Sequence, residues 1–260
     1  FVMTHILRKY SFYCKKTILI KKIIPLSSKQ ACFIVKNNYL RKIFAIKTIF
    51  KKMIKNIIFD FGGVLTLLTP NEAIKRFKAL GVENPEEYLN PYCQQGAFFK
   101  LENGDISEEQ FRTELGKLCH KEISYEEAKH AWMGFISSVH QDILDYLQLL
   151  RPRYTLGVLS NTNPFIQSWA CTSEFTSKGK PLDAYFDHLF FSYRMGVSKP
   201  NEEIYKKMLL EGNLKAEETL FIDDSDKNIE AARNLGISTL KVDNGEDWRN
   251  KLDRILLADK

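Results

Sequence analysis

The chain has 260 residues, of which 44% are hydrophobic and 27% are charged, and this composition predicts a soluble globular protein with one good core and a smaller second one. Its formal net charge of +6 is misleading, because residues 1–52 hold 13 basic and no acidic side chains, whereas the other 208 residues hold 25 basic and 32 acidic ones. A nucleic-acid-binding role inferred from that charge would rest on the first 52 residues alone, so we expect no nucleic-acid partner.

Residues 1–52 form a basic leader in which every apolar run is shorter than the ~18 residues that a membrane span needs. Met53 stands just before the first predicted strand, where a natural start would fall, so we expect the leader to be extraneous to the folded protein. A targeting peptide and an arm for anionic surfaces remain open alternatives. For the rest of the chain we expect no membrane contact, and the scattered cysteines suit a reducing cytoplasm.

The stretch that organises the chain is Asn56-Ile57-Ile58-Phe59, which runs directly into Asp60-Phe61-Gly62-Gly63. An apolar run of this kind predicts a buried parallel strand that ends at a carboxylate. In an open α/β sheet, ligands bind beyond the carboxyl ends of the strands. The two glycines give the backbone freedom there, so that amide N–H groups can approach an anion.

A helical segment follows this first strand. Thr69-Pro70-Asn71-Glu72 is typical of a helix start, and capping boxes begin at Ser107 and Ser124. Between about Leu68 and Val139 no run of residues predicts a strand. We therefore expect residues 68–139 to form an all-helical cap inserted into an α/β core of residues 53–67 and 140–260.

Four more predicted strands alternate with helices in the second half of the chain, at residues 154–159, 188–192, 219–222 and 237–242. Strands that alternate with helices indicate a doubly wound parallel sheet, so the predicted fold class is α/β. Polar residues at or just beyond the ends of these strands would share one edge of the sheet with Asp60, and they are Ser160, Asn161, Lys199, Asp223 and Asp224.

The chemistry of this edge points to a metal and a phosphate. Three carboxylates repel one another unless a cation lies among them, and hard oxygen ligands favour Mg²⁺. The hydroxyl, the lysine and the exposed amides suit a phosphate group. Each residue alone has an ordinary structural explanation as a turn, a helix cap or a surface charge, but their order at successive strand ends favours a binding site for both.

This ordered set resembles the four motifs of the haloacid dehalogenase (HAD) superfamily, which match here as Asp60-Phe61-Gly62-Gly63-Val64, Ser160-Asn161, Lys199-Pro200 and Asp223-Asp224. The resemblance covers about residues 54–258 and implies a HAD-like Rossmannoid core, with residues 68–139 in the place of a first-type (C1) cap. The segment from Phe99 to Ser107 also resembles the branch that contains α-glucose-1-phosphate phosphatases and epoxide-hydrolase-like phosphatase domains.

The resemblance implies a role for each motif residue. Asp60 would be the nucleophile and form an aspartyl-phosphate that water then hydrolyses. Mg²⁺ would be held by Asp60, the backbone carbonyl of Gly62 and Asp224, with Asp223 close by or acting through water. The phosphoryl oxygens would be bound by Ser160 and by the backbone amides around Gly62, Gly63 and Asn161. Lys199 would neutralise charge between the phosphate and the nucleophile.

One position departs from the usual pattern of the superfamily. Most of its phosphatases carry a second aspartate, the general acid and base, where this chain has Gly62. Such catalysis contributes about 10² to 10⁴ in rate, so a slow enzyme, a good leaving group or a substitute donor is expected. Glu102 and Asp105 are candidate substitutes if the cap closes over the site.

The function predicted on these grounds is Mg²⁺-dependent hydrolysis of a small phosphorylated metabolite, for which a sugar phosphate is one candidate. Two alternatives remain open. A metal-independent 2-haloacid dehalogenase also lacks the second aspartate, although it normally has uncharged residues in place of Asp223 and Asp224. A non-catalytic phosphometabolite-binding protein would also retain the phosphate site. The sequence predicts neither the identity of the substrate nor the oligomeric state.

Overall fold

The computed structural model describes residues 53–89 and 94–259. The expectations for the leader, residues 1–52, lie outside these ranges. Within the described ranges, no helix combines the length and the apolar character that crossing a membrane would require.

Seven strands are present in the described residues. In chain order they are β1 (Asn56–Phe59), β2 (Thr66–Leu68), β3 (Ile136–Val139), β4 (Thr155–Ser160), β5 (His188–Phe191), β6 (Thr219–Asp223) and β7 (Ser238–Lys241). Five of them form the main sheet in the order β5-β4-β1-β6-β7, and every pair in it is parallel. The prediction of a parallel α/β sheet is confirmed, and β1 is its central strand.

Ten α-helices accompany these strands in the described residues. In chain order they are α1 (Pro70–Leu80), α2 (Gly96–Glu102), α3 (Glu108–Cys119), α4 (Tyr125–Trp132), α5 (Gln141–Leu150), α6 (Pro164–Ala170), α7 (Ser192–Met195), α8 (Glu202–Glu211), α9 (Asp226–Asn234) and α10 (Arg249–Ala258). Helices α1 to α4 lie between β2 and β3 in the chain, within the segment predicted to form the cap.

The central strand β1 is buried on both faces. Ile57 and Phe59 pack into the larger hydrophobic cluster, and Ile58 packs into the smaller one on the opposite face. Successive side chains of a strand point to opposite faces, so a strand covered by helices on both sides must be apolar throughout. This is why a short apolar run was sufficient to predict β1.

A two-stranded antiparallel ribbon joins the helical segment to the core, and the expectation of no strand between Leu68 and Val139 is wrong at this point. Strand β2 pairs with β3, and Leu68 lies opposite Ile136. Both strands are short, and the middle of β3 is the exposed pair Ser137-Ser138. The pairing of two distant segments stabilises both strands, and β3 has no apolar run of its own that would predict it.

The helical segment has an aromatic core that is continuous with the core of the sheet. Phe98 lies at its centre, with ring centroids 5.0 Å from Phe77, 5.2 Å from Phe111 and 5.6 Å from Trp132. Phe111 in turn lies 5.9 Å from Phe165 on α6. Buried aromatic pairs stabilise a fold by about 0.5–1.5 kcal/mol each beyond the area they bury. The first three contacts therefore hold α1 to α4 together, and the fourth joins them to the α/β core.

The predicted helix starts are confirmed, with one difference in detail. Ser107 and Ser124 each form a complete capping box, with Gln110 and Glu127 as the respective partners. Thr69 precedes α1 as expected but does not cap it through its side chain. Its hydroxyl instead donates to the carbonyl of Gly134 at 2.9 Å, which links the start of α1 to the residues before β3.

Candidate active site

Three carboxylates meet at one edge of the main sheet. Asp60 directly follows β1, Asp223 ends β6, and β1 and β6 are paired neighbours. One carboxylate oxygen from each of Asp60, Asp223 and Asp224 lies within 4.8 Å of the other two. Because the strands run parallel, their carboxyl ends share an edge, and the sequence-predicted cluster is brought together there.

Lys199 inserts its ammonium group into this cluster. Its Nζ lies 2.8 Å from Asp60 Oδ1 and 2.8 Å from Asp223 Oδ2, and its side chain is 1% exposed. The side chain of Asn161 holds the Lys199 backbone from both sides: Asn161 Nδ2 donates to the Lys199 carbonyl at 2.9 Å, and the Lys199 N–H donates to Asn161 Oδ1 at 2.8 Å. The loop after β4 therefore positions the lysine.

The two adjacent aspartates of β6 have different surroundings. Asp223 is fully buried, and its oxygens accept hydrogen bonds from the Ser225 N–H at 2.7 Å, Asn228 Nδ2 at 3.0 Å and Lys199 Nζ at 2.8 Å. Asp224 lines the cavity above the cluster. Asp223 thus holds Lys199 in place, whereas the Asp224 carboxylate faces the space that a ligand would enter.

Backbone conformation and close contact explain the glycine at position 63. Gly63 has φ +81°, in the left-handed region that favours glycine, and a Cβ at this position would run into Asp224 Oδ2. A larger residue would push the Asp224 carboxylate out of the cluster. Gly62 has a different neighbour, since a Cβ there would lie 2.7 Å from Leu68 Cδ2.

The pKa values of the cluster reflect a shortage of positive charge. Burial is the largest cause that raises the pKa of Asp60 to about 8; Lys199 opposes this shift, and the charges of Asp223 and Asp224 contribute to it. Burial and Asp223 raise the pKa of Asp224 to about 6. Burial acts to lower the pKa of Lys199, but its two carboxylate neighbours outweigh burial and raise it. One ammonium group cannot compensate three carboxylates, and a divalent cation could.

Six of the eight sequence-predicted site residues line one cavity, and they are Asp60, Gly62, Ser160, Asn161, Lys199 and Asp224. The other two, Gly63 and Asp223, contact lining residues of the cavity. The structure distinguishes between the two candidate substitutes for the missing acid. Glu102 lines the cavity, whereas the expectation for Asp105 is wrong, because its side chain is exposed and accepts a hydrogen bond from Asn103 Nδ2 at 3.0 Å.

Sequence reasoning missed the other lining residues, which are Phe61, Leu68, Gln94, Phe135, Ile136, Thr162, Ile166 and Asn228. Two of them had a local signal: Thr162 follows Ser160-Asn161, and Asn228 lies in the helix after Asp223-Asp224. No local sequence pattern indicates Gln94 and Phe135, since they reach the cavity only through the packing of the helical segment.

Glu102 is the last residue of α2, and packing against α7 fixes its position. Its backbone carbonyl accepts a hydrogen bond from Ser192 Oγ at 2.6 Å. The following turn contains Gly104, at φ +77°, where a Cβ would run into the carbonyl of Tyr193. Burial is the largest cause that raises the pKa of Glu102 to about 8; the side chain of Asn163 opposes this shift, and the charge of Asp60 contributes to it.

With this geometry in place, comparison with known proteins gives the family. A family model for haloacid dehalogenase-like hydrolases matches residues 54–236. The chain belongs to the haloacid dehalogenase-like hydrolases. The hydrolase is 46% identical to a D-ribitol-5-phosphate phosphatase of Bacteroides thetaiotaomicron over 204 residues, which are 78% of this chain and 99% of that relative.

Two solved structures of the same family resemble the hydrolase over most of its length. A HAD-like family hydrolase from Porphyromonas gingivalis superposes with a TM-score of 0.75 at 45% identity, over 78% of this chain and 98% of that one. A HAD family enzyme from Bacteroides thetaiotaomicron, in complex with magnesium and inorganic phosphate, superposes with a TM-score of 0.71 at 35% identity, over 76% of this chain and 98% of that one. The HAD-like Rossmannoid fold is therefore confirmed.

Proposed function

We propose that this hydrolase is a Mg²⁺-dependent phosphatase that releases phosphate from a small phosphorylated polyol or sugar. The observation that carries the proposal is the cluster of Asp60, Asp223 and Asp224 within 4.8 Å, with the Lys199 ammonium bound inside it. Such a cluster provides a nucleophile, a metal site and a fixed positive charge, which are what phosphoryl transfer requires. The relative that is a D-ribitol-5-phosphate phosphatase supports the same reading.

The donor set fits Mg²⁺. The ion would be held by Asp60, Asp224 and the backbone carbonyl of Gly62. The oxygens of Asp223 already accept three hydrogen bonds, so Asp223 would contribute through water. Among the described residues that line the cavity there is no histidine or cysteine, so the available ligands are hard oxygens. Bound Mg²⁺ would supply positive charge that offsets the carboxylates and the phosphate.

The chain's own residues would carry out the two displacements. Asp60 attacks phosphorus, the ester oxygen leaves, and water then attacks the phosphorus of the aspartyl-phosphate to release phosphate. The Phe61 N–H donates to Asp60 Oδ1 at 2.7 Å, so the nucleophile is held by the backbone as well as by Lys199. Ser160 and the amide of Asn161 bind the phosphoryl oxygens, and Lys199 neutralises charge that develops on them.

The cavity offers both apolar and polar surfaces to the rest of the substrate. Its apolar lining residues include Leu68, Phe135, Ile136 and Ile166. Its polar lining residues include Gln94, Glu102 and Thr162. Hydrogen-bonding groups of this kind can recognise hydroxyl groups, and the apolar residues can pack against a carbon chain, so the lining suits a short polyol phosphate.

The experiment that tests the proposal measures phosphate release from a panel of phosphorylated metabolites, including D-ribitol 5-phosphate, with Mg²⁺ or with EDTA. We expect release that requires Mg²⁺ and that is fastest with a polyol or sugar phosphate. Halide release from a 2-haloacid without metal would overturn the proposal in favour of a dehalogenase. Binding of phosphate without turnover of any substrate would overturn it in favour of a binding protein.

A further inference from the structure

The proposed reaction needs a proton donor that the nucleophile loop does not contain. The leaving group of a polyol phosphate is an alkoxide, a poor leaving group that must be protonated as the P–O bond breaks. Gly62 has no side chain to provide the proton, and the tip of Leu68 occupies the space where a side chain at position 62 would begin. A donor must therefore come from another part of the cavity.

The cavity contains few groups that could fill this role. Among the described residues that line it, the carboxyl groups are those of Asp60, Asp224 and Glu102. Asp60 is needed to attack phosphorus, and Asp224 is needed for the metal. Lys199 lies 2.8 Å from each of two carboxylates, which hold its proton in place. Of these three carboxyl groups, Glu102 is the one that neither attacks phosphorus nor binds the metal.

The position of Glu102 is fixed relative to the phosphate-binding loop. Ser192 joins the two, because its hydroxyl donates to the Glu102 carbonyl at 2.6 Å and accepts from the Thr162 N–H at 3.0 Å. Thr162 is two residues beyond Ser160, the proposed phosphate ligand. The end of α2 is also tied to the loop of Lys199, since Ser198 Oγ donates to Asn103 Oδ1 at 3.3 Å.

Asn163 lies beside the Glu102 carboxyl in a fixed orientation. Its Oδ1 caps α6 by accepting from the N–H groups of Phe165 at 3.1 Å and Ile166 at 3.2 Å. The other end of the amide is therefore Nδ2, which is buried and makes no hydrogen bond of good geometry. Nδ2 is nevertheless near enough to Glu102 to favour the charged form of its carboxyl group.

We propose that Glu102 is the general acid and general base of this enzyme, supplied by the helical segment in place of an aspartate at position 62; this inference rests on the proposed phosphatase function. In the first step the Glu102 O–H gives its proton to the leaving oxygen, which takes the electron pair of the breaking P–O bond while Asp60 bonds to phosphorus. In the second step the Glu102 carboxylate accepts a proton from water as the water oxygen bonds to phosphorus. The electron pair of the Asp60–phosphorus bond returns to Asp60, and phosphate leaves.

Burial supports this assignment. It is the largest cause of the raised pKa of Glu102, about 8, so the carboxyl group carries a proton near neutral pH. An acid of this kind is ready to donate before the first step and becomes a base after it. Because Glu102 belongs to α2, proton transfer would require the helical segment to be packed against the core.

The experiment compares Glu102→Gln with the wild-type enzyme on two substrates, D-ribitol 5-phosphate and p-nitrophenyl phosphate. We expect steady-state turnover of D-ribitol 5-phosphate to fall by at least about a hundredfold. Nitrophenolate leaves without a proton, so the first step should stay fast with p-nitrophenyl phosphate. The variant should then show a burst of about one nitrophenolate per enzyme, followed by slow turnover, because the second step still needs the base.

The controls separate the possible failures. Asp105→Asn replaces a carboxyl group by an amide in the exposed turn next to α2 and should leave both activities unchanged. Glu102→Asp, which keeps a carboxyl group on a side chain one methylene shorter, should lose less activity than Glu102→Gln. Equal turnover of the wild type and Glu102→Gln on D-ribitol 5-phosphate would overturn the role of Glu102 while leaving the phosphatase function intact. Equal losses on both substrates without a burst, at an unchanged melting temperature, would also overturn it. A wild-type enzyme that hydrolyses neither substrate would contradict the proposed function itself.

Discussion

The Lys199 ammonium group lies 2.8 Å from the Asp60 carboxylate and makes a second contact of the same length with Asp223. Its side chain is almost completely buried, and all three groups belong to different motifs of the sequence. A buried charge is stable only when it is paired, so each member of this arrangement depends on the others. The same contacts that keep Lys199 charged also place it beside the nucleophile.

Replacement of Lys199 by Met should therefore affect both stability and activity. The change keeps most of the side-chain volume but leaves two buried carboxylates unpaired, and we expect the free energy of unfolding without Mg²⁺ to fall by about 3–5 kcal/mol. Phosphate release should fall to background. Urea unfolding checks the first outcome, with Lys206→Met on the exposed face of α8 as the control, for which about 0.5 kcal/mol or less is expected. Similar losses in the two variants would contradict the pairing argument.

The contact between Gly62 and Leu68 predicts a non-additive pair of substitutions. Gly62→Asp should lower the free energy of unfolding by about 1–3 kcal/mol, because its Cβ would lie 2.7 Å from Leu68 Cδ2 and the leucine must move. The same change in a Leu68→Ala background should cost clearly less, since the space is then open. A double-mutant cycle by urea unfolding measures the coupling. Additive costs would mean that Leu68 does not restrict position 62.

The sequence predicted the main sheet and its motif residues because both depend on local patterns. The buried parallel strands are apolar runs such as Ile57-Ile58-Phe59, and the carboxyl ends of such strands must share an edge. The choice between Glu102 and Asp105 could not be made in the same way. It depends on the contacts of Ser192 and Tyr193 with the end of α2, which are made by residues about ninety positions away.

The parts of the fold that the sequence did not predict share a physical cause. Strands β2 and β3 are stabilised by pairing with each other, and the exposed Ser137-Ser138 pair hides the pattern of a strand. Gln94 and Phe135 likewise enter the cavity through the tertiary packing of α1 to α4. The motif residues at the edge of the sheet can thus be predicted from the sequence, whereas the cavity residues contributed by the helical segment cannot.

The capping box at the start of α4 predicts a pH-dependent contribution to stability. Hydrogen bonds from the backbone N–H and the hydroxyl of Ser124, together with one from Lys121, lower the pKa of Glu127 to about 2. Because the folded pKa lies below the ordinary value of 4.5, the contribution is complete above that value and is lost as the pH falls toward 2. The melting temperature of Glu127→Gln should lie below that of the wild type at pH 6, and the difference should shrink by pH 3.

A neighbouring residue provides the control for this experiment. Glu126 is exposed on the first turn of the same helix and takes no part in the capping box. Glu126→Gln should therefore show no comparable narrowing of the melting-temperature difference between pH 6 and pH 3. A Glu127→Gln difference that is the same at both pH values would contradict the assigned hydrogen bonds as the cause.

The most direct test of the proposed phosphatase is the initial rate of phosphate release from D-ribitol 5-phosphate by the wild type and by Asp60→Asn, each with Mg²⁺ and with EDTA. Asparagine keeps the size of the side chain but removes the nucleophilic charge. We predict release by the wild type only with Mg²⁺, and release at the level of the buffer by Asp60→Asn under both conditions. Equal rates for the two proteins, or wild-type release that persists in EDTA, would contradict a Mg²⁺-dependent reaction through Asp60.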